Sequence, residues 1–376
     1  MRVYLDHNAT TPLRPEARTA MLAAMDLAGN PSSVHAEGRA AKMLIEKARA
    51  QVAGLARCDV SEVIFTSGAT EAVAGVVHDA TQVCGAVIEH EAVRVWCEDE
   101  GMRLLGVDAN GHLDLSGVAD GALAGAVLFV QRANSETGVL QPDRLQGELE
   151  RVGITASDVF RDTVQAAGKV ADLGRWRAGQ GPHAFMALSA HKLGGPKGVG
   201  ALIAGPDYNP GRMSAMLRGG GQESGRRAGT ENVIGIAGFG AACEAAARDL
   251  SDGVWERVAG LRNVLEKALE AGSKKTIFVG KHVERLPNTS CFITPGWRGD
   301  MQVMQMDLAG FAISAGSACS SGKVATSRVL TAMGFDDAQA ACAVRVSLGV
   351  DTTEEHVLRF ADAWTAKLKK HEARAA

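Results

Sequence analysis

Hydrophobic residues in roughly the first 250 positions gather into short runs, and segments with helical spacing separate several of these runs. The runs read EVIFTS, GAVIEH, GAVLFVQ, SDVFRD, AFMALSAH and GVGALIAG. Each is continuous rather than alternating, which is typical of strands buried on both faces of a sheet. Segments such as EAVAGVVHDAT and PDRLQGELERVG have the spacing of helices. This order of elements predicts an α/β fold with a mainly parallel sheet.

The pattern changes after Gly229. An Ala-rich stretch there continues through DLSDGVWERVAGLRNVLEKALEAG, which predicts one long amphipathic helix. The remainder, from about Thr276, predicts a smaller α+β unit. We therefore expect a large domain over residues 15–250 and a small domain formed by residues 1–14 and 251–376.

Composition and charge narrow the class of protein. The 376 residues are 46% hydrophobic and 22% charged, which suits an ordinary globular protein with ample material for a core. The formal net charge is −3 at pH 7, so no basic field predicts a nucleic-acid or membrane partner. No apolar run approaches the roughly 18 residues that a membrane span needs. The N-terminal MRVYLDHNAT also lacks the apolar core of a signal peptide.

The chain has seven cysteines, at scattered positions and without a CxxC pair. Neither a disulfide framework nor a structural metal site is expected, and a reducing cytoplasm is the simplest location. Most of these cysteines have apolar or helical neighbours and are predicted to be small core residues. Cys319 differs, because ISAGSACSSGK surrounds it with small residues that would leave its thiol accessible. Taken alone, this segment is as consistent with a non-functional thiol in a linker as with a functional one.

Polar groups follow most of the predicted strands. In open α/β sheets, ligands bind beyond the carboxyl ends of the strands, so this coincidence predicts a site at that edge. The groups are Ser67, Gly68, Ala69 and Thr70, then His90, then Asn134, Ser135 and Glu136, then Asp162 and Gln165, and finally Ser189, His191 and Lys192.

Several of these groups suit one cofactor. The turn from Gly68 to Thr70 opens a helix and offers N–H groups and a hydroxyl to a phosphate, although it also fits an ordinary capped turn. Asp162 follows an apolar run, where a carboxylate needs a partner such as a protonated ring nitrogen. Lys192 also follows an apolar run, where desolvation favours the neutral, nucleophilic amine, and Lys197 is the competing candidate. A phosphate cradle, a carboxylate and a lysine together predict pyridoxal 5′-phosphate (PLP).

Eleven motifs, collinear over nearly the whole chain, carry a specific family resemblance. They are YLDHNATTPLRPEA, NPSSVHAEGR, FTSGATEA, EHEAV, ANSETGVLQP, DTVQAAGK, SAHKLGGPKG, GGGQESGRRAGTEN, LPNTS, SAGSACSSG and RVSLG. In these motifs the chain resembles the NifS/IscS-type cysteine desulfurases of the class V aminotransferase family. The resemblance implies the PLP-dependent transferase fold type I, with a mainly parallel seven-stranded sheet between helices in the large domain and a smaller α+β domain.

The resemblance also implies a role for each site residue. Lys192 would bind the cofactor covalently, and His90 would stack on its ring. Asp162 would pair with the ring nitrogen. Gln165 and Ser135 occupy the positions at which the family contacts the ring oxygen. For the cofactor phosphate, the implied contacts are Ala69, Thr70, Ser189 and His191, with Thr230 reaching the phosphate of the neighbouring subunit in a homodimer. Asn8 and Arg345 would line the substrate pocket, where the planar guanidinium of Arg345 clamps a carboxylate.

In the reaction that the resemblance implies, L-cysteine is converted to L-alanine. Lys192 shifts the α-proton, and the thiolate of Cys319 attacks the substrate sulfur to form an enzyme persulfide. The sulfur would then pass to iron–sulfur cluster assembly or to another acceptor protein.

The sequence departs from the family pattern in three places. Ser135 replaces an asparagine of the usual NNETG motif, so contact with the cofactor's ring oxygen is expected to be lost or mediated by water. Val73 and Ala74 replace two asparagines of GATEANN. The chain also stops soon after FADAWTAKLKKHEARAA, without the longer segment with which housekeeping members dock an iron–sulfur scaffold, which leaves the usual acceptor open.

Two alternatives to a cysteine desulfurase are left open by the residues. One is another PLP enzyme of the same fold, such as a selenocysteine lyase or a small-amino-acid aminotransferase. Cys319 argues against a plain aminotransferase, which needs no such thiol. The other is a degenerate paralogue that serves as a binding partner, which Ser135 favours slightly and the intact Lys192, Asp162 and Arg345 oppose.

Overall fold

The computed structural model describes residues 2–78, 80–98, 103–142, 146–155, 159–171, 173, 185–205, 215–316 and 326–375. The strands in these ranges are β1 (Val3–Tyr4), β2 (Val63–Thr66), β3 (Val83–Ala86), β4 (Arg103–Leu105), β5 (Val127–Gln131), β6 (Val159–Asp162), β7 (Phe185–Ser189), β8 (Gly200–Ile203), β9 (Ile277–Phe278), β10 (Thr289–Ile293), β11 (Phe311–Ala312), β12 (Ser314–Ala315) and β13 (Ala343–Ser347). The helices are α1 (Pro15–Met25), α2 (Ala36–Ala56), α3 (Ala69–Val77), α4 (Glu91–Cys97), α5 (Gln146–Val152), α6 (Val233–Ser251), α7 (Val254–Gly272), α8 (Gly299–Leu308), α9 (Arg328–Ala332), α10 (Asp337–Ala340) and α11 (Glu354–Ala375).

The largest sheet has seven strands in the order β2-β8-β7-β6-β5-β3-β4. Strand β8 runs antiparallel to both of its neighbours, and the other adjacent pairs are parallel. The prediction of a mainly parallel α/β sheet is therefore confirmed. Because β5, β6 and β7 are parallel neighbours, their carboxyl ends meet at one edge of the sheet, which brings together the polar groups that follow them.

Helices cover both faces of this sheet. On one face, Val52 of α2 and Phe239 of α6 lie in the same buried cluster as Leu188 of β7. On the other face, Val73 of α3 packs in a cluster with Phe129 of β5. Burial on both sides explains why the apolar runs are continuous rather than alternating.

A second region contains a four-stranded antiparallel sheet in the order β12-β13-β10-β9. Its core includes Trp297 and Trp364, whose ring centroids are 5.6 Å apart. Val3 and Leu5 lie in the same cluster, and β1 pairs in parallel with β11. The N-terminus thus packs with elements from the far end of the chain, while the expected division into 15–250 and 1–14 plus 251–376 stays a prediction.

Two expectations about elements were wrong. The long helix after Gly229 is two helices, α6 and α7, because the chain breaks at Gly253, whose φ of 70° interrupts the helix. Only the first two residues of the run GAVIEH lie in a strand: β3 ends at Ala86, and the Glu89 amide then donates to the Ala86 carbonyl in a turn. Ile88 is buried in that turn, so the apolar run continues past the end of the strand.

Most of the cysteines that the structure describes lie in the core. Five of them are buried and Cys58 is partly buried, as predicted. Burial raises the pKa of the Cys291 thiol to about 12, which leaves it protonated and unreactive. No helix within the described ranges is long and apolar enough to cross a membrane. Among the residues given coordinates here, no group of three or more His, Cys, Asp or Glu could hold a metal ion.

Candidate active site

A cavity of about 380 Å³ lies beyond the carboxyl ends of β5, β6 and β7. Of the predicted site residues that the structure describes, all except Thr230 line it. Thr230 is exposed and outside this lining, and Cys319 lies outside the described residues. The structure therefore brings together side chains that are up to 337 positions apart in the sequence, namely Asn8, Ala69, Thr70, His90, Ser135, Asp162, Gln165, Ser189, His191, Lys192 and Arg345.

One wall of the cavity is the turn that opens α3. The Ala69 amide donates to the Ser189 hydroxyl at 3.2 Å, which ties this turn to the end of β7. Gly200 allows β8 to lie close to this turn, because a Cβ atom at position 200 would lie only 2.7 Å from the Gly68 Cα. The N–H groups in the first turn of α3, including that of Thr70, can donate hydrogen bonds to an anion.

His191 lies beside this turn and is uncharged near neutral pH. Its Nδ1 is 3.1 Å from the Thr10 hydroxyl. Burial, together with the positive charges of Lys192, Lys197 and Lys169, lowers the pKa of His191 to about 4. A neutral imidazole here can donate a hydrogen bond to an anion without adding a charge.

Lys192 ends the turn that follows β7. Its ammonium donates to the main-chain carbonyls of Asn8 at 2.6 Å and Ala9 at 3.0 Å, which holds Nζ at the cavity wall. Lys197, the competing candidate, is exposed and does not line the cavity. The geometry thus favours Lys192 as the lysine that can reach a ligand there.

Asp162 ends β6 at the base of the cavity and accepts a hydrogen bond from the Val164 amide at 2.9 Å. Burial raises its pKa, and the Val164 amide and the charges of His90 and Lys192 act in the opposite direction. His90 caps α4, where its Nδ1 accepts from the Ala92 amide at 3.1 Å. A cationic ring nitrogen in this cavity would therefore stabilise the ionised form of Asp162.

Gln165 connects this base to the N-terminal segment. Its Nε2 donates to the Asn8 carbonyl at 3.0 Å, the same oxygen that Lys192 contacts. Its Oε1 is buried and accepts no hydrogen bond from the described part of the chain. This oxygen can accept a hydrogen bond from a hydroxyl group on a ligand.

The opposite wall is built by side chains from distant segments. Arg345 donates to the Ser135 carbonyl at 2.8 Å. The Asn8 side chain donates to the same carbonyl at 3.2 Å and to the Thr289 hydroxyl at 2.9 Å, and it accepts from Asn288 at 3.1 Å. The Asn8 side chain is therefore fixed by its hydrogen bonds in this wall. The main chain of Ser135 is held by Asn8 and Arg345 independently of the Ser135 side chain.

Lys169 is a residue to which the sequence assigned no role, although it stands in the motif DTVQAAGK. It is 5% exposed, and its Nζ donates to the Gln165 carbonyl at 3.0 Å. Burial, together with the charges of Lys192 and Arg345, lowers its pKa to about 7. A second cavity of about 360 Å³ is lined by both Lys169 and Lys192.

A mainly parallel seven-stranded sheet that presents a lysine and a buried carboxylate at neighbouring strand ends defines the fold type I class of PLP-dependent enzymes. The chain belongs to the class-V aminotransferase family, whose model, Aminotransferase class-V, matches residues 3–360. Enzymes of this family depend on PLP. The fold and the family that the motifs predicted are thus confirmed.

Known proteins of this family are similar over almost the whole chain. A cysteine desulfurase of Cereibacter sphaeroides is 38% identical, covering 96% of this chain and 94% of its own. A cysteine desulfurase of Klebsiella pneumoniae is 37% identical, covering 95% and 90%. The solved structure of a NifS-like protein from Rickettsia africae has a TM-score of 0.84 at 29% identity and covers 98% of this chain and all of its own.

Proposed function

We propose that this protein is a PLP-dependent cysteine desulfurase, which converts L-cysteine to L-alanine and transfers the sulfur to Cys319. The observation that carries the proposal is the single cavity that Lys192, Asp162 and Arg345 line together. A lysine, a buried carboxylate and a guanidinium are the groups needed to hold PLP and the carboxylate of an amino acid. The desulfurase names of relatives at 38% and 37% identity support the same reaction.

The lining residues fit the cofactor. The α3 amides, Ser189 and the neutral His191 suit a phosphate. The carboxylate of Asp162 suits a protonated ring nitrogen, which would offset the burial that raises its pKa. The unpaired Gln165 Oε1 suits a ring hydroxyl, and Lys192 is the amine for a covalent bond.

The protein's own residues would then control the reaction. When bound, PLP supplies an electron sink that weakens bonds at the substrate's α- and β-carbons. Arg345 binds the substrate carboxylate, and Lys192 moves the α-proton, since its Nζ already lies at the cavity wall. His90 would contact the bound ring, and Asp162 would hold the positive charge of its nitrogen.

The sulfur step uses Cys319 as the nucleophile. Its thiolate attacks the substrate sulfur, an S–S bond forms and the Cβ–S bond breaks. The electron pair of the broken bond stays with the three-carbon fragment, which takes up a proton and leaves as L-alanine. The enzyme keeps the sulfur as a persulfide until an acceptor or a reductant removes it.

Three further features belong to this proposal. We infer a homodimer with shared active sites, in which the exposed Thr230 reaches the partner's cofactor phosphate. We infer a sulfur-acceptor protein, with iron–sulfur cluster assembly as one destination of the sulfur. A reducing cytoplasm is the proposed location, because the cysteines are scattered along the chain and include no CxxC pair.

Absorbance and product analysis of the purified protein test the proposal. The wild type should carry a visible cofactor band and make equal amounts of L-alanine and sulfide from L-cysteine with a reductant present. Lys192→Ala should lose the band and the activity, whereas Cys319→Ala should keep the band and lose sulfide release. Lys197→Ala is the matched control and should behave as the wild type does.

The outcomes separate the parts of the proposal. A colourless wild-type protein, after incubation with PLP, would contradict the whole assignment. Sulfide release that survives in Cys319→Ala would contradict the role of that thiol alone. A strong preference for L-selenocysteine over L-cysteine would indicate that the protein is a selenocysteine lyase rather than a cysteine desulfurase.

A further inference from the structure

Arg345 is buried at 4% exposure in the middle of β13, yet it lines the cavity. One of its terminal nitrogens donates to the Ser135 carbonyl at 2.8 Å, and the other donates to Asp6 Oδ1 at 2.7 Å. Its Nε has no hydrogen-bond partner among the residues that the structure describes. The guanidinium is therefore held by hydrogen bonds on two sides, while its Nε–H remains available as a donor.

Asp6 is itself fixed by neighbours of Arg345. The Ser314 hydroxyl donates to Asp6 Oδ2 at 2.8 Å, and Ser314 stands directly opposite Arg345 in the β12–β13 pair. The backbone of Asp6 forms a parallel bridge with Ser347, two positions after Arg345. Both carboxylate oxygens of Asp6 are thus engaged, one by the arginine and one by a hydroxyl on the adjacent strand.

This arrangement constrains the plane of the guanidinium. A planar group that is bonded through two of its nitrogens can rotate neither about its long axis nor away from the sheet. Bidentate recognition of a carboxylate depends on that plane, because both N–H···O bonds must form at once. A small rotation would cost one of the two bonds, and a freely moving arginine would lose side-chain entropy on binding.

We propose that Asp6 is a positioning residue that fixes the plane of Arg345, so that an α-amino acid enters the cavity with its carboxylate in one orientation. This inference rests on the proposed function and names the residue that sets its selectivity for α-carboxylates. Asp6 is not among the residues that line the cavity, and it acts through Arg345.

The test compares a ligand that has a carboxylate with one that lacks it. Holoenzyme is titrated with L-alanine, the proposed product, and with ethylamine, and the visible absorbance reports binding of each amine. Asp6→Ala should weaken L-alanine binding at least about tenfold and change ethylamine binding less than about twofold. In turnover, KM for L-cysteine should rise while kcat stays within about threefold.

Two further variants keep the test decisive. Ser314→Ala removes only the hydroxyl that supports Asp6, and it should weaken L-alanine binding about threefold, in the same direction, even where Asp6→Ala folds poorly. Asp307→Ala is the matched control, since Asp307 also binds an arginine, Arg2, but at an exposed surface pair. It should leave both titrations unchanged.

The results distinguish this inference from the proposed function. Equal losses for L-alanine and ethylamine in Asp6→Ala, or no loss for either, would overturn the positioning role while the desulfurase assignment stands. A wild-type holoenzyme whose spectrum responds to neither amine would overturn both.

Discussion

Two walls of the cavity are held in place in different ways. The strand-end wall consists of Asp162 and Ser189, which end the adjacent parallel strands β6 and β7, and of Lys192 shortly after β7. The bridging wall consists of Asn8, Ser135 and Arg345, which come from three distant segments and meet through side-chain hydrogen bonds. The first wall is positioned by the backbone ladder of a sheet, and the second by a buried polar network.

This difference indicates how each wall should respond to mutation. A side chain at a strand end can be changed without moving the strand, because the ladder is made of main-chain groups. In the bridging wall, one side chain holds several others, so its removal leaves buried polar groups unpaired. We therefore expect chemical defects without unfolding at the strand-end wall, and combined defects at the bridging wall.

The largest effect is expected at the strand-end wall. Asp162→Asn should lower kcat/KM for L-cysteine about 10³-fold, because it removes the negative charge proposed to hold the ring nitrogen. The melting temperature should stay close to that of the wild type. Steady-state kinetics and a thermal scan measure the two quantities.

Glu89→Gln is the matched control for Asp162→Asn. Burial raises the pKa of Glu89 well above its ordinary value, which favours the neutral carboxyl group that glutamine resembles in shape. Glu89 does not line the cavity, and this variant should stay near wild-type activity. A large loss in Glu89→Gln, with none in Asp162→Asn, would show that the wrong carboxyl was assigned.

A somewhat smaller effect is expected from Arg345→Lys. The charge remains, but an ammonium replaces the planar fork that binds a carboxylate through two bonds. The value of kcat/KM for L-cysteine should fall about 100-fold, mainly through KM. Arg2→Lys, in a surface pair with Asp307, should have no effect, and an unchanged KM in Arg345→Lys would contradict the proposed clamp.

Asn8→Ala tests the network itself. Its side chain bonds Ser135, Thr289 and Asn288, so alanine should lower the free energy of unfolding by about 3 kcal/mol. Denaturant unfolding measures the change. Asn110→Ala, at an exposed turn, should stay within about 0.5 kcal/mol of the wild type. Equal stability of both variants would mean that the bridging wall is no more sensitive than the surface.

The smallest effect concerns Lys169, which feels charges from both walls. Its folded-state pKa of about 7 lies below the ordinary 10.5, so between these values the unfolded chain binds a proton that the folded protein does not. The penalty is complete below pH 7 and fades as the pH rises toward 10.5. Relative to Lys169→Met, the wild type should gain about 2 kcal/mol of stability between pH 7 and pH 9.

Urea unfolding at both pH values measures this difference. Lys281→Met, which changes a lysine of an exposed ion pair, is the control and should show no such change between pH 7 and pH 9. A wild type that gains no stability relative to Lys169→Met would mean that Lys169 stays protonated in the folded protein throughout this range.

Much of the strand-end wall could be predicted from the sequence. The runs before Gln131, Asp162 and Ser189 are continuous and apolar, and the structure has strands at each of them. In a parallel sheet, residues that follow neighbouring strands must lie close together, so local patterns were enough to place Asp162 and Lys192 at one edge. The exception was β3, where buried Ile88 lies in a turn.

The bridging wall could not be predicted in this way. Arg345 lies within a buried strand, where no local pattern distinguishes a ligand from a structural arginine, and only the family resemblance singled it out. Its partner Asp6 stands 339 positions away, within a motif to which the sequence alone assigned no such role. The buried amine of Lys169 was missed for the same reason, since its neighbours are unknown until the chain is folded.

The sequence by itself determined the α/β class, the strands that end at the cavity and the family with its lysine and carboxylate. These follow from periodicity and from the order of residues along one chain, which are local properties. Only the tertiary structure decided that Asp6 pairs with Arg345, that Asn8 and Arg345 share the Ser135 carbonyl, that Lys169 and Lys192 line one cavity, and that Lys197 lies outside the site. Such contacts depend on how distant segments pack, and side-chain hydrogen bonds between them leave no period in the sequence.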